Sequence, residues 1–187
     1  MDGASLKKHW DAGVGPESTR GKIVGGKWDY VVVQEIFCAD EAEFRRYARK
    51  FHKLIESVGA QTVLFSTASI ISAYPAGFER LHRMHLALGR ELKAPVVDSS
   101  YAYRKYLGRN PSRARMESLF HMDLMHPGLW GSHIYACGIY SVLTGRCPIG
   151  LSIIPAEVLR GLQEAAWAQH LETAAELGGQ GKRRKPC

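Results

Sequence analysis

Three short apolar runs constrain the fold of this chain more than any other feature. Tyr30–Gln34 reads Tyr-Val-Val-Val-Gln, Thr62–Ser66 reads Thr-Val-Leu-Phe-Ser, and Ala94–Asp98 reads Ala-Pro-Val-Val-Asp. The runs are β-branched and continuous rather than alternating, the pattern of strands covered on both faces. Helical stripes lie between them. Phe44, Tyr47, Ala48, Phe51, Leu54, Ile55 and Val58 recur at helical spacing, with Arg45, Arg46, Arg49 and Lys50 turned outward. Leu81, Met84, His85, Leu88 and Leu92 form a second stripe. Gly59 and Gly89 fall near the helix ends, although Gly89 lies inside the second pattern. Strands alternating with helices predict an α/β layer fold with a parallel sheet and right-handed crossovers.

Two further helices are expected. One starts at Pro127, whose fixed φ suits a first helical position, and runs through Trp130, Ile134, Cys137 and Tyr140 to a stop at Gly145. The other runs from Pro155 through Leu159, Leu162 and Trp167 to Leu171. Trp28, Trp130 and Trp167 read as core aromatics, and His82 and His85 as packing or surface histidines. With 187 residues and no linker or repeat, the chain reads as one domain over residues 1–177 with a basic tail over 178–187.

Charge narrows the partners. The net charge is +7, but Lys182, Arg183, Arg184 and Lys185 sit in the Gly-rich tail, and without them it is +3. A basic tail is more often a solvated end than a binding arm, and no recognition helix or RNA-module signature accompanies it, so no nucleic-acid partner is expected. No run of apolar residues is long enough to span a membrane, and the N-terminus has no apolar signal core; a signal peptide could lie upstream of the present start. Cys38, Cys137, Cys147 and Cys187 show no C-x-x-C spacing, so neither a zinc site nor a dithiol redox site is expected. A disulfide between Cys137 and Cys147 stays open, and with it the redox compartment. No cofactor motif is present.

In open α/β sheets functional groups collect at the carboxyl ends of the strands. Those ends hold Gln34 and Glu35, Ser66 and Thr67, and Asp98, Ser99 and Ser100. After the last strand region comes Asp123-Leu-Met-His126-Pro127 at the mouth of a helix. An Asp and a His three apart in a turn present their side chains to the same side, and the carboxylate can hold the imidazole in the tautomer that accepts a proton. The competing structural reading makes Asp123 a helix cap and His126 a bystander. A metal reading draws on His121, Asp123 and His126, with His133 further along.

Three blocks, in order, resemble one family. Asp123-Leu-Met-His-Pro-Gly-Leu-Trp-Gly-Ser, continuing to Thr144-Gly-Arg-Cys-Pro148, is similar to the last block of the SGNH (GDSL-like) hydrolases, in which an Asp-x-x-His pair opens the final core helix. Gly26-Lys-Trp-Asp-Tyr-Val-Val-Val-Gln-Glu35 resembles a strand of one of its subgroups, and Gly3-Ala-Ser-Leu-Lys-Lys-His-Trp10 resembles a preceding block. Order and spacing agree from Gly3 to about Trp167. The resemblance implies a three-layer α/β/α fold of the flavodoxin-like kind and hydrolysis of small acyl esters, O-acetylated carbohydrate among them. It implies His126 as general base, Asp123 as its orienting partner, and Gly3 N–H and the Gln34 amide as oxyanion donors. Taken alone, Gly3 would read as a terminus and Gln34 as a loop ligand.

The chain departs from the family at the nucleophile. The family's serine lies in a Gly-Asp/Asn-Ser block ahead of the oxyanion glycine, and the present sequence starts two residues before that glycine. Ser5 is not at the nucleophile position, and no Gly-x-Ser-x-Gly elbow occurs. The chain therefore reads as a hydrolase domain without its first strand, a segment of roughly 30 residues or more if it is one strand–helix unit. Losing such a strand would leave a neighbouring strand edge and apolar helix faces uncovered. The alternatives are a non-catalytic domain that binds a partner or ligand through that edge and, third, a metal-assisted hydrolase.

Overall fold

The computed structural model describes residues 3–151 and 156–178. Its centre is a parallel sheet of β1 (Tyr30–Gln34), β2 (Gln61–Ser66) and β3 (Val96–Asp98), in the spatial order β1-β2-β3. Tyr30 stands opposite Gln61, Gln34 opposite Phe65, and Leu64 opposite Val96. The short helices α1 (Leu6–Asp11) and α2 (Thr19–Gly25) precede the sheet. The crossovers are α3 (Glu41–Ser57) and α4 (Ala76–Leu92). After β3 come α5 (Ser99–Leu107), α6 (Arg113–Glu117), α7 (Leu129–Thr144) and α8 (Ala156–Glu176). The expected α/β architecture is the observed one.

Local chemistry explains the crossover helices. Asp40 Oδ1 accepts from Glu43 N at 2.9 Å and caps α3, with Glu41 and Glu43 favourably placed in its first turn. The predicted stripe is the buried face: Phe44, Tyr47, Phe51 and Ile55 pack toward the sheet. Gly89 lies inside α4 because a Cβ there would stand 2.5 Å from Val96 Cγ2, so only glycine lets the helix approach β3 this closely.

The layers follow from the packing. Val33, Leu64 and Val96 meet α1, α2, α3 and α4 on one face. Val63, Phe65 and Val97 meet Tyr135, Ile139, Val142 and Leu143 of α7 on the other. A second cluster joins α5, α7 and α8 through Tyr103, Leu119, Ile134 and Leu159.

Several expectations need correcting. The third run is a strand only over Val96–Asp98; Pro95 lacks an N–H and joins the sheet just through its carbonyl, which accepts from Leu64 N at 2.9 Å. β1 is not covered on both faces. It is the sheet edge, and Val32 is 47% exposed. Trp28 is a surface aromatic whose indole N–H donates to Lys22 O at 3.1 Å, whereas Trp167 is buried and Trp130 partly so. Cys137 is a free, buried thiol, so the pairing with Cys147 is not made. Pro127 is not the first residue of α7. It forms an antiparallel bridge with Phe120, and the helix begins two residues later after Gly128. The expected stop at Gly145 is the observed one, in a left-handed conformation at φ 65°. Pro155, the expected start of the last helix, and the basic tail from residue 179 onward lie outside the described residues.

Candidate active site

Asp123 and His126 occupy a closed turn between α6 and α7. His121 N donates to His126 O at 2.8 Å, and Leu124 N donates to His121 O at 2.9 Å. Leu124 takes a left-handed conformation (φ 56°) to close this turn. Leu124 O in turn accepts from Ile71 N at 3.3 Å, which ties the turn to the loop that follows β2. The chain then enters α7 through Gly128, where a Cβ would stand 2.7 Å from Phe120 O.

Every acceptor of Asp123 is engaged inside this turn. Oδ1 accepts from Met125 N and His126 N, both at 2.9 Å, and Oδ2 stands 2.6 Å from His126 Nδ1. The imidazole contact first, and then the two backbone N–H bonds, hold the Asp123 carboxyl well below the usual carboxylate range. An ionised carboxylate only accepts, so Nδ1 carries a hydrogen, and in the neutral imidazole the free lone pair is then on Nε2. Asp123 caps its own turn and not α7, whose N-cap is Gly128. The His126 side chain is 72% exposed, open to a reactant.

The same cleft takes in the other two predicted groups. A cavity of about 860 Å³ is bordered by Gly3 and Ala4, by Val31 to Gln34 of β1, by Thr67 and Ala68 after β2, by Met125 to Pro127, and by Tyr135 and Ile139 of α7. Gly3, Gln34 and His126 thus lie on one cleft. Gly3 has φ 65°, a backbone region that suits glycine. The Gln34 amide makes no hydrogen bond among the described residues, so the reading of Gln34 as a loop ligand finds no partner for it.

Of the other strand-end groups Thr67 borders the cleft, but Ser66, Asp98, Ser99 and Ser100 do not. Ser66 and Ser100 are buried and satisfy backbone: Ser100 Oγ donates to Thr67 O at 2.6 Å, and Ser66 Oγ lies 3.3 Å from Ser100 Oγ. Asp98 points to α4, where its Oδ2 stands 2.6 Å from His82 Nδ1, and its Oδ1 caps α5 through Tyr101 N at 3.0 Å. His82 is therefore one half of a buried pair with Asp98, stacked on Tyr101, and not mere packing. Burial pulls its pKa down, but the hydrogen bond and charge of Asp98 outweigh it, so the net shift is upward. His85 does pack, with Nδ1 on Leu81 O at 2.9 Å and its ring against Phe44.

The metal ligand set suggested by spacing does not form. Among the described residues no group of three His, Cys, Asp or Glu side chains is arranged to hold a metal ion. Asp123 is committed to His126 and to its own backbone, and His133 lies 3.5 Å from Cys137 Sγ on α7.

Three residues of the cleft and its rim take roles that were not foreseen. Tyr135 takes the Ala68 N–H at 2.7 Å on its hydroxyl oxygen, and burial pushes that hydroxyl up to about 12. His9 Nδ1 lies 2.9 Å from Thr19 Oγ1 on the cleft wall. Glu35, at the end of β1, is 3% exposed, and its carboxylate accepts from Leu6 N and Ile36 N. All three lie in or beside the blocks that carry the resemblance, and Glu35 was also named at a strand end, but no local pattern announces the partners they take.

No protein-family profile matches the chain, and no curated protein matches it in sequence. Two solved structures are similar in fold. A DUF4886 family protein from Bacteroides uniformis ATCC 8492 superposes with a TM-score of 0.64 at 14% identity, over 91% of this chain and 81% of that one. A candidate SGNH hydrolase from Slackia heliotrinireducens superposes with a TM-score of 0.57 at 21% identity, over 75% of this chain and 80% of that one. At such identities the likeness is one of architecture: this chain has a three-layer α/β fold of the SGNH-like kind.

Proposed function

We propose that this domain carries the base and oxyanion parts of an SGNH-type acyl-ester hydrolase site. The observation that supports it most is the meeting of His126, Gln34 and Gly3 on one cleft, with Asp123 Oδ2 at 2.6 Å from His126 Nδ1. In this reading a serine hydroxyl attacks the ester carbonyl and its proton passes to His126 Nε2. Gly3 N–H and the Gln34 amide donate to the tetrahedral oxyanion, contacts worth about 3 kcal/mol each when preorganised. His126 then protonates the departing alkoxide. Water repeats the cycle and frees the acid and the serine. The substrate is a small acyl ester, with O-acetylated carbohydrate as the specific case that family likeness suggests.

The serine is the group the cleft lacks: its bordering hydroxyls are Thr19, Thr67 and Tyr135. In our reading the serine arrives on an extended segment along the outer edge of β1, where Val31, Val32 and Val33 border the cleft. The open β1 edge equally favours the second reading, a non-catalytic domain that binds a partner there. Two measurements separate them. An in-frame Gly-Asp-Ser or Gly-Asn-Ser encoded ahead of Met1 is expected, and its absence there would sink the serine mechanism for this chain. The longer protein should cleave a chromogenic acetate ester, lose that activity in His126→Ala, and keep it in the presence of a chelator. Loss of turnover to the chelator would instead point to a metal.

A further inference from the structure

Glu35 is a buried acid that the proposed chemistry does not use, next in sequence to Gln34. Its Oε1 accepts from Ile36 N at 2.8 Å, and Leu6 N donates to both oxygens, to Oε2 at 3.1 Å and to Oε1 at 3.3 Å. Leu6 is the first residue of α1, and its N–H is one of the donors that a helix start leaves without an intrahelical partner. Ser5 Oγ serves another, accepting from Lys8 N at 3.3 Å. The carboxylate thus links the end of β1 to the start of a helix 29 residues earlier in the chain. Gly3 stands three residues before that anchor, and Gln34 one residue before Glu35 itself.

We propose that Glu35 is a positioning residue for the oxyanion site: its carboxylate, shared between Leu6 N–H and Ile36 N–H, sets Gly3 against Gln34 on the rim of the cleft. The proposal rests on the reading of Gly3 and Gln34 as the oxyanion donors. Geometry makes the choice of side chain specific. Leu6 N–H is forked between both carboxylate oxygens, while Ile36 N–H goes to Oε1 alone. Glutamine would put an NH₂ group, a donor, in place of one of the two oxygens that face Leu6 N–H. Aspartate is a methylene shorter and loses reach to Leu6. A buried carboxyl is costly unless hydrogen-bonded, and both N–H groups that serve it belong to the segments that flank the two donors.

The test uses Glu35→Gln, Glu35→Asp and Ser5→Ala. Ser5→Ala removes the cap that α1 carries itself and leaves Glu35 in place, so it reports what loss of helix stability alone would do. Amide exchange and the chemical shifts of Gly3 N–H and the Gln34 side-chain amide are followed by NMR in each. Glu35→Gln should speed exchange at Leu6 N–H at least about tenfold and move both the Gly3 and the Gln34 signals, with Glu35→Asp intermediate. Ser5→Ala should leave the Gln34 signal in place. In the longer, serine-bearing protein Glu35→Gln should lower kcat on an acetate ester about 10- to 100-fold with KM within about twofold, as a misplaced donor does.

Unchanged Leu6 exchange and unmoved Gly3 and Gln34 signals in Glu35→Gln would overturn the anchoring. The same displacement of both signals in Ser5→Ala would reduce Glu35 to one helix cap among others. If the longer protein hydrolyses no ester at all, the functional reading fails, while the NMR arm still decides where Glu35 places Gly3.

Discussion

Asp123 does two jobs with two oxygens, and only one of them concerns His126. Oδ1 closes the turn through Met125 N and His126 N, while Oδ2 fixes the imidazole. Asp123→Asn keeps the first job and spoils the second, because the amide can present NH₂ to Nδ1 and reverse the tautomer. On the proposed function, ester turnover by the longer, serine-bearing protein should fall on the order of 10³- to 10⁴-fold with the fold retained, read from steady-state rates beside circular dichroism. The same carboxylate has a pH signature. Its pKa is lower in the folded chain than the ordinary 3.8, so its contribution to stability is present above that value and fades as the pH falls toward the folded pKa. Denaturation of the native protein and Asp123→Asn should therefore differ at pH 5 and converge in strong acid. Cys137 gives a separate check of burial. Its thiol is pushed up to about 11 by burial, while Cys38 is exposed, so iodoacetamide at pH 8 should label Cys38 and spare Cys137, as read by peptide mass spectrometry.

At the scale of elements, how much could be read from sequence depended on length and on the range of the contacts. β1 and β2 were legible to within a residue because unbroken β-branched runs suit little else. The stripes on α3 and α4 were legible because each repeats over four turns. α1 and α2, with six and seven residues, are too short for periodicity to show. α5 escaped notice because it springs directly from Asp98, which looked like a strand end. Pro127 met the rule for a helix start but is spent on a bridge to Phe120, because a left-handed Leu124 turns the chain first. The candidate base and its partner were legible as a local pair. Glu35 was legible as a strand-end group, but its bond to Leu6 was not, since that partner lies 29 residues away. One helix contact gives a clean prediction. A Cβ on Gly131 of α7 would stand 2.0 Å from Tyr103 Oη and 2.3 Å from Leu119 O, a backbone atom that cannot swing aside. Gly131→Ala should cost about 1–3 kcal/mol in urea unfolding, and it should do so by pushing α7 away from α5.

For the whole molecule, the His82–Asp98 pair joins three parts of the fold. Asp98 ends β3, His82 lies on α4, and the Tyr101 ring that stacks on His82 belongs to α5. Tyr101 Oη then donates to Glu172 of α8 at 2.7 Å. His82 has a folded pKa above its ordinary 6.5, so its stabilisation is complete below that value and is lost as the pH rises through the folded pKa. His82→Gln should remove this part of the stability decline above pH 6.5, seen by comparing urea midpoints of the two proteins from pH 5.5 to 9. The architecture of the molecule, with helices on both faces of a parallel sheet, agrees with the two structural neighbours and with the alternation in the sequence.

The placement of the cleft has a consequence for the order of events during folding. Its wall is built from residues 3–37, from Phe51, Phe65, Thr67 and Ala68, and last from residues 125–139, so the final wall comes from far along the chain. Contacts of such long sequence separation form late, after the loop entropy between them has been overcome. During synthesis the Gly3 and Gln34 side waits, open, while the next ninety or so residues emerge. The Val-Val-Val run of β1 waits with it, next to a cleft that α7 has yet to close.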